Sequence, residues 1–312
     1  MVTAPPGDPL ADVFHHVGID GVISGGFAAT APWVSCGEVA EDVKIIAVLS
    51  GRALLRTDGA SADLGEGDVA VLARRSRLAL HSGPRPGAAR EIPPPVGWTD
   101  PLGEDAAGQA DTVVGAHLRL SPTGRELLLP GLPPLTRVGG TRPGARRLRT
   151  VLGLLLDEAL GAEAGVAFAS AQYARLLALE SLRAAAGETD LPPGWLRLHA
   201  DRRLRPAVQL MHGHPGRAWR LEQLARAAAM SRTTFAERFR RTSGLTPFAY
   251  LHRWRVLLAE QALRTSDTSV DALSARLGYA SAGSFSTAFR RTTGLSPSRY
   301  RGSGSTGTGS GA

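Results

Sequence analysis

One cysteine, Cys36, stands in 312 residues, which excludes an internal disulfide framework and any cysteine-based zinc site. Lysine is nearly as scarce: Lys44 is the one Lys among 36 basic residues, a bias read as genome composition rather than chemistry. No run of about 18 apolar residues is present, so no membrane-spanning helix is expected. Met1 to Leu10 are Pro/Gly-rich and lack the basic and apolar stretches of a secretory signal, so the chain is read as cytoplasmic.

What is present points to two domains. The length is large for one, and 43% apolar residues suffice for a buried core. The net charge of +8 is unevenly placed. Residues 198–301 hold 18 Arg against 6 acidic residues, a net +12, which leaves −4 for the rest. A basic C-terminal part on an acidic remainder is the footprint of a nucleic-acid binder.

That basic part writes one stretch twice. Ser231 to Tyr250 recurs as Ser281 to Tyr300, identical at ten of twenty positions. Ser231 and Ser281 stand where an N-cap belongs. Phe235 and Phe239 share a helical face, as do Phe285 and Phe289, and that face must be buried. Gly244 and Gly294 suit a left-handed C-cap. Thr246-Pro247 and Ser296-Pro297 restart a helix. Leu221, Leu224 and Ala225 precede the first copy, and Val270, Leu273 and Leu277 the second, completing a helix-turn-helix each time. The second turn is one residue longer than the first.

These residues carry a resemblance. Leu224-Ala225, Met230-Ser231 and the Phe-x-x-x-Phe-Arg-Arg-Thr-Ser-Gly-Leu-Thr-Pro run, with its second copy through Tyr300-Arg301, resemble the AraC/XylS family of bacterial transcription regulators. The resemblance covers roughly residues 198–301. It implies two helix-turn-helix units in adjacent major grooves, joined by a linker helix from Pro247 to about Arg264. Such a helix runs roughly 27 Å, and one duplex turn separates half-sites by about 34 Å.

With the Phe pairs inward, the outward residues are the candidate DNA contacts. In the first unit they are Ser231, Arg232, Thr233, Ala236, Glu237, Arg240 and Arg241. In the second they are Ser281, Gly283, Ser286, Thr287, Arg290 and Arg291. Glu237 suits cytosine N4, Thr suits the thymine methyl, and the Arg pairs suit phosphate. Gly283, Ala236 and Thr287 depart from the larger polar residues of relatives, so the second unit is expected to read few bases.

Residues 18–120 read as short strands punctuated by glycine, among them Gly21 to Ser24, Val43 to Leu49, Ala53 to Leu55, Val69 to Leu72, Leu78 to Leu80 and Thr112 to Leu120. Pro32-Trp33, Val48 to Gly51 and Gly65 to Asp68 are similar to the cupin-type sensor domain found in one branch of that family. The expected fold class is α+β in two domains: a cupin-like β-barrel with a helical hairpin, then an all-α double helix-turn-helix. The expected boundaries are a sensor and dimerisation domain at 1–187, a linker at 188–197, the DNA-binding domain at 198–301 and a disordered tail at 302–312.

A catalytic cupin places two His and a Glu on one strand and a further His later around a metal. Residues 18–120 have no His-x-His, and His81 and His117 are isolated, so no catalytic residue, metal or cofactor is expected. Trp33, Cys36 and His81 are the candidate effector-binding residues. For Cys36 the plainer alternative is a small buried hydrophobe; for His81 it is a satisfied strand-end histidine. Residues 83–108 read as a mobile loop. Helices at Arg146–Leu160 and Val166–Ala186 read as a hairpin that caps the barrel and makes a homodimer. His212-Gly213-His214 reads as a surface turn rather than a metal pair. The expected function is a DNA-binding transcription regulator with double-stranded DNA, a small-molecule effector and RNA polymerase as partners. The alternatives are a metal-dependent cupin enzyme with a helical appendage, and a DNA-repair fusion, which a lone Cys36 disfavours.

Overall fold

The computed structural model describes residues 13–14, 16–83, 89–94, 110–160, 164–188 and 190–305. Most of the expected loop at 83–108 and the end of the expected tail, 306–312, lie outside the described residues. The chain divides into two compact units. One comprises Ile19–Arg119 and Leu132–Leu191; the other comprises Leu120–Gly131 and the chain from Pro192 onward, with the residues up to Gly18.

The first unit contains two five-stranded sheets. One has the order β1 (Ile19–Ala29), β9 (Asp111–Leu120), β3 (Val43–Ser50), β6 (Val69–Ala73), β10 (Leu135–Val138). The other runs β5 (Ala60–Gly65), β4 (Arg52–Thr57), β7 (Arg77–His81), β2 (Trp33–Glu38), β8 (Arg90–Glu91). Among the described strands, the pairings make two sheets and not one closed barrel. Alternation along each strand sends one set of side chains inward. Trp33, Ile46, Val48, Leu55, Leu64, Leu72, Leu80 and Val113 thus meet in one core, each aliphatic side chain contributing about 1.5–3 kcal/mol by leaving water.

Strands β2, β5, β8 and β10 were not among the expected runs. Their sequences, such as Ser35-Cys36-Gly37 in β2, are weakly apolar, and they exist because neighbours supply the hydrogen bonds: Cys36 pairs with Ala79, and Thr136 with Val71. The hairpin expected after the strands is present as α2 (Pro143–Leu160) and α3 (Val166–Ala186). Gly21 allows β1 to approach α3, since a Cβ there would collide with the Ala174 methyl.

The second unit is helical. A short helix not foreseen from sequence, α1 (Pro122–Leu128), groups with it. From Pro192 onward the described helices are α4 (Trp195–Ala200), α5 (Arg205–Gly213), α6 (Leu221–Ala227), α7 (Arg232–Ser243), α8 (Pro247–Thr265), α9 (Val270–Arg276), α10 (Ala282–Thr293) and α11 (Pro297–Ser305). On the long helix α8, Glu260 is fully buried, and its Oε1 accepts from Thr123 N (3.1 Å) and Thr123 Oγ1 (2.8 Å) at the start of α1. Arg253 Nε pairs with Glu126 Oε2 at 3.1 Å one turn further along α1. Burial pushes the Glu260 carboxyl above its ordinary range, against the hydrogen bonds it accepts.

Three expectations change here. Residues 195–197 of the expected linker are helical, because Trp195 is buried and its ring stacks on His199 at 3.9 Å. His212 belongs to a helix and not to a surface turn: its ring stacks on Trp254 at 3.7 Å, and its Nε2 meets the Tyr250 hydroxyl at 2.8 Å. Helix α11 continues to Ser305, four residues into the expected tail, since no proline interrupts the backbone ladder begun at Pro297.

Candidate nucleic-acid interface

Each helix-turn-helix is assembled by the same local devices. Ser231 Oγ accepts from Thr234 N at 3.2 Å and caps α7. Ser281 Oγ accepts from Ser284 N at 3.1 Å, while Ser284 Oγ accepts from Ser281 N at 3.2 Å, a reciprocal cap on α10. Gly244 (φ 76°) and Gly294 (φ 80°) end those helices in the left-handed conformation, each N–H donating to the carbonyl four residues back at 2.8 Å. The turns before the caps each need one left-handed residue. The second unit supplies Gly278 (φ 74°); the first supplies Ala229 (φ 52°), which costs about 1–2 kcal/mol.

The aromatic cores repeat as well. Phe235–Phe239 and Phe285–Phe289 ring centroids are both 5.7 Å apart, and Phe239–Tyr250 (5.6 Å) is matched by Phe289–Tyr300 (5.3 Å). All four Phe rings are fully buried. With that face fixed inward, the opposite face of each capped helix is determined.

On α7, Arg232, Thr233, Glu237, Arg240 and Arg241 are exposed, as is Ser231 before it, and Ala236 is half-buried. On α10, Gly283, Thr287, Arg290 and Arg291 are exposed, as is Ser281, and Ser286 is half-buried. Ser231 and Ser281 already use their hydroxyls as caps. Arg232 Nη1 pairs with Glu222 Oε1 at 2.9 Å on the surface, an interaction worth about 0–1 kcal/mol. Arg238 lies on the same helix and turns away, its Nε donating to Asp201 Oδ2 at 2.8 Å. Arg240–Arg241 and Arg290–Arg291 thus form matching cationic pairs in the last turns of the two helices.

The three candidate effector residues are dispersed. Trp33 is part of the sheet core, its Nε1 donating to Asp111 Oδ2 at 2.8 Å. Cys36 is exposed, so the expectation of a buried hydrophobe is overturned. It stands three residues from Trp33 on one strand and therefore points to the opposite face. There it borders a shallow groove with Arg56, Asp58 and Arg77. His81 ends β7; burial, aided by Arg56, lowers its pKa, and its Nδ1 has no hydrogen-bond partner, so it is not the satisfied histidine expected.

A cavity of about 70 Å³ lies elsewhere in the strand unit. Phe27, Ile46, Leu80 and Val113 line it together with Ser35, Glu38, Gly25, Gly26 and Gly115. Lys44 reaches it from the face of β3 that also carries Ile46. His117 of β9 stands directly opposite Lys44, and its Nδ1 is 3.7 Å from Glu41 Oε1. Burial lowers the Lys44 pKa, with the Glu41 charge acting against the shift. Only strand pairing brings these residues together; the alternation of Lys44 with Ile46 and Val48 was the available sign. Among the described residues no group of three or more His, Cys, Asp or Glu is arranged to hold a metal, and no helix is long and apolar enough to cross a membrane.

Residues 8–187 match a cupin family, and residues 224–303 match a helix-turn-helix domain family. An AraC-like transcription regulator of Streptomyces antibioticus is 31% identical over 282 residues, covering 88% of this chain and 91% of that protein. A counterpart in Streptomyces lividans is 31% identical over 285 residues, with the same coverage. The crystal structure of the DNA-binding domain of AdpA, a global transcriptional factor, in complex with a target DNA is 40% identical to the aligned part. It covers 32% of this chain and 91% of that one, with a TM-score of 0.31.

Proposed function

Because this chain belongs to the AraC-like family of transcription regulators and carries a cupin domain in addition to its helix-turn-helix region, we propose that it is a sequence-specific regulator commanded by a small molecule. The duplicated, equally capped helix-turn-helix supports this most directly. Residues 198–301 bind double-stranded DNA, α7 and α10 each entering a major groove. Thr233 and Glu237 read base edges, Glu237 accepting from cytosine N4. Arg240, Arg241, Arg290 and Arg291 hold phosphates. Gly283 and Thr287 present little to a base, so the first unit carries most of the sequence preference.

The effector binds in the strand unit, and the protein acts in the cytoplasm without enzymatic activity. It works as a homodimer through the helical hairpin, whose Leu154 (42% exposed), Phe168 (74%) and Leu176 (44%) are left to water in one copy. RNA polymerase is the partner at the promoter. The test is selection of bound duplexes from a random pool at near-physiological salt. A recovered site with two half-elements about one helical turn apart, relaxed at one position by Glu237→Ala, is the expected result. Recovery of no motif, with binding that collapses as salt rises, overturns the proposal.

A further inference from the structure

We propose that the cavity of the strand unit captures a small, largely apolar aldehyde as an imine on Lys44. The inference rests on the reading that this unit holds the effector, and it gives that effector a chemistry.

Three observations carry it. The first is the choice of cation. Of 36 basic residues, 35 are Arg. Arginine stays protonated and grips a carboxylate with a planar fork. The basic side chain that lines the cavity is a lysine, which unlike arginine can shed a proton and become a nucleophile.

The second is the surroundings. The walls that Lys44 shares include Phe27, Ile46, Leu80 and Val113, together with Ser35, Glu38 and several glycines. Such a space takes a largely apolar body and leaves a few polar points of attachment, Lys44 among them with Ser35 and Glu38. The low polarity also disfavours the ammonium, which raises the share of neutral amine near pH 7.

The third is the pair beside the amine. His117 faces Lys44 across the β3–β9 ladder, and Glu41 lies 3.7 Å from His117 Nδ1. Imine formation needs a group of this kind. The Lys44 Nζ lone pair attacks the carbonyl carbon, and the C–N bond forms while the C=O π pair moves to oxygen. Nitrogen loses its two protons and oxygen gains two through the His117–Glu41 pair, so the oxygen leaves as water as C=N closes. Aldehyde and amine become imine and water, and no oxidant or reductant takes part.

The composition makes the test clean, since Lys44 and the N-terminus are the only amines in the chain. The full-length protein is treated with n-hexanal and cyanoborohydride at pH 7.5, and the alkylated peptides are mapped by mass spectrometry. Lys44 should be alkylated about tenfold faster in the folded protein than in urea, as expected of an activated amine, and Lys44→Arg should abolish that adduct while keeping the native far-ultraviolet spectrum. Alkylation at the N-terminus alone, or at Lys44 only in urea, overturns the proposal. So does hexanoate binding that survives Lys44→Arg in a protein that gives no Lys44 adduct, because the cavity would then be an anion site. Operator binding is measured separately on the reduced adduct. Selective alkylation without any change in DNA binding supports the capture chemistry and removes the effector reading. DNA binding that responds to other small molecules, with Lys44 unalkylated, leaves that reading standing and removes this proposal.

Discussion

Arg238 and Arg240 stand two residues apart on α7, and their removal should fail in different ways. Arg240 is exposed at the end of the helix, on the face opposite the buried Phe235 and Phe239. If it neutralises one phosphate, Arg240→Ala lowers the slope of log K against log salt by about 0.9. Between 50 and 200 mM salt that amounts to about a 3.5-fold change in the affinity ratio of wild type to variant. Its unfolding free energy should stay within about 0.5 kcal/mol of wild type. Arg238 is committed to Asp201, which also accepts from Arg203 N (3.0 Å) and Leu204 N (3.3 Å) and so keeps part of its coordination when the arginine is lost. Arg238→Ala should therefore cost about 1–3 kcal/mol of stability and leave the salt slope unchanged. Anisotropy titrations on the selected duplex at four salt concentrations, with urea unfolding of each variant, measure both quantities. A salt slope that falls for Arg238→Ala and not for Arg240→Ala would refute the assignment of the outward face.

Phe285→Ala should destabilise the second helix-turn-helix by roughly 3–5 kcal/mol, since the ring is fully buried between Tyr279 and Phe289; an unchanged unfolding curve would remove it from the core. Glu260 has its pKa raised by burial, so its contribution is most favourable at or below the ordinary value of 4.5 and is lost as pH rises through the folded pKa. Glu260→Gln should accordingly melt higher than wild type at pH 8, whereas Glu260→Ala, which leaves the Thr123 N–H and hydroxyl without their acceptor, should lose about 1–3 kcal/mol. Equal losses from both variants would mean that the charge itself stabilises. His199 is lowered by burial from 6.5 to about 4, so stability should fall as pH drops from 6.5 towards 4. His199→Phe should flatten that fall in a melting series, and an identical pH profile would contradict the burial of a neutral imidazole.

The helical unit was legible because its information is local. Ser231, Gly244, Thr246-Pro247 and their copies each act within a few residues, and the Phe-x-x-x-Phe spacing sets the buried face without reference to anything distant. The outward set from Thr233 to Arg240 followed from that face alone. The caps and C-caps stand where spacing put them. Tertiary structure decided what depends on long-range partners. Helix α1 is capped by Ser121 and opens on Pro122 but runs only seven residues, and it docks where Glu260, more than a hundred residues later, accepts from Thr123. Strand β2 is held by β7 and β8, and its pleat separates Trp33 from Cys36, which sequence proximity had grouped. The cavity is the fullest case. Lys44 and His117 are 73 positions apart, and only the register of β3 on β9 sets them face to face.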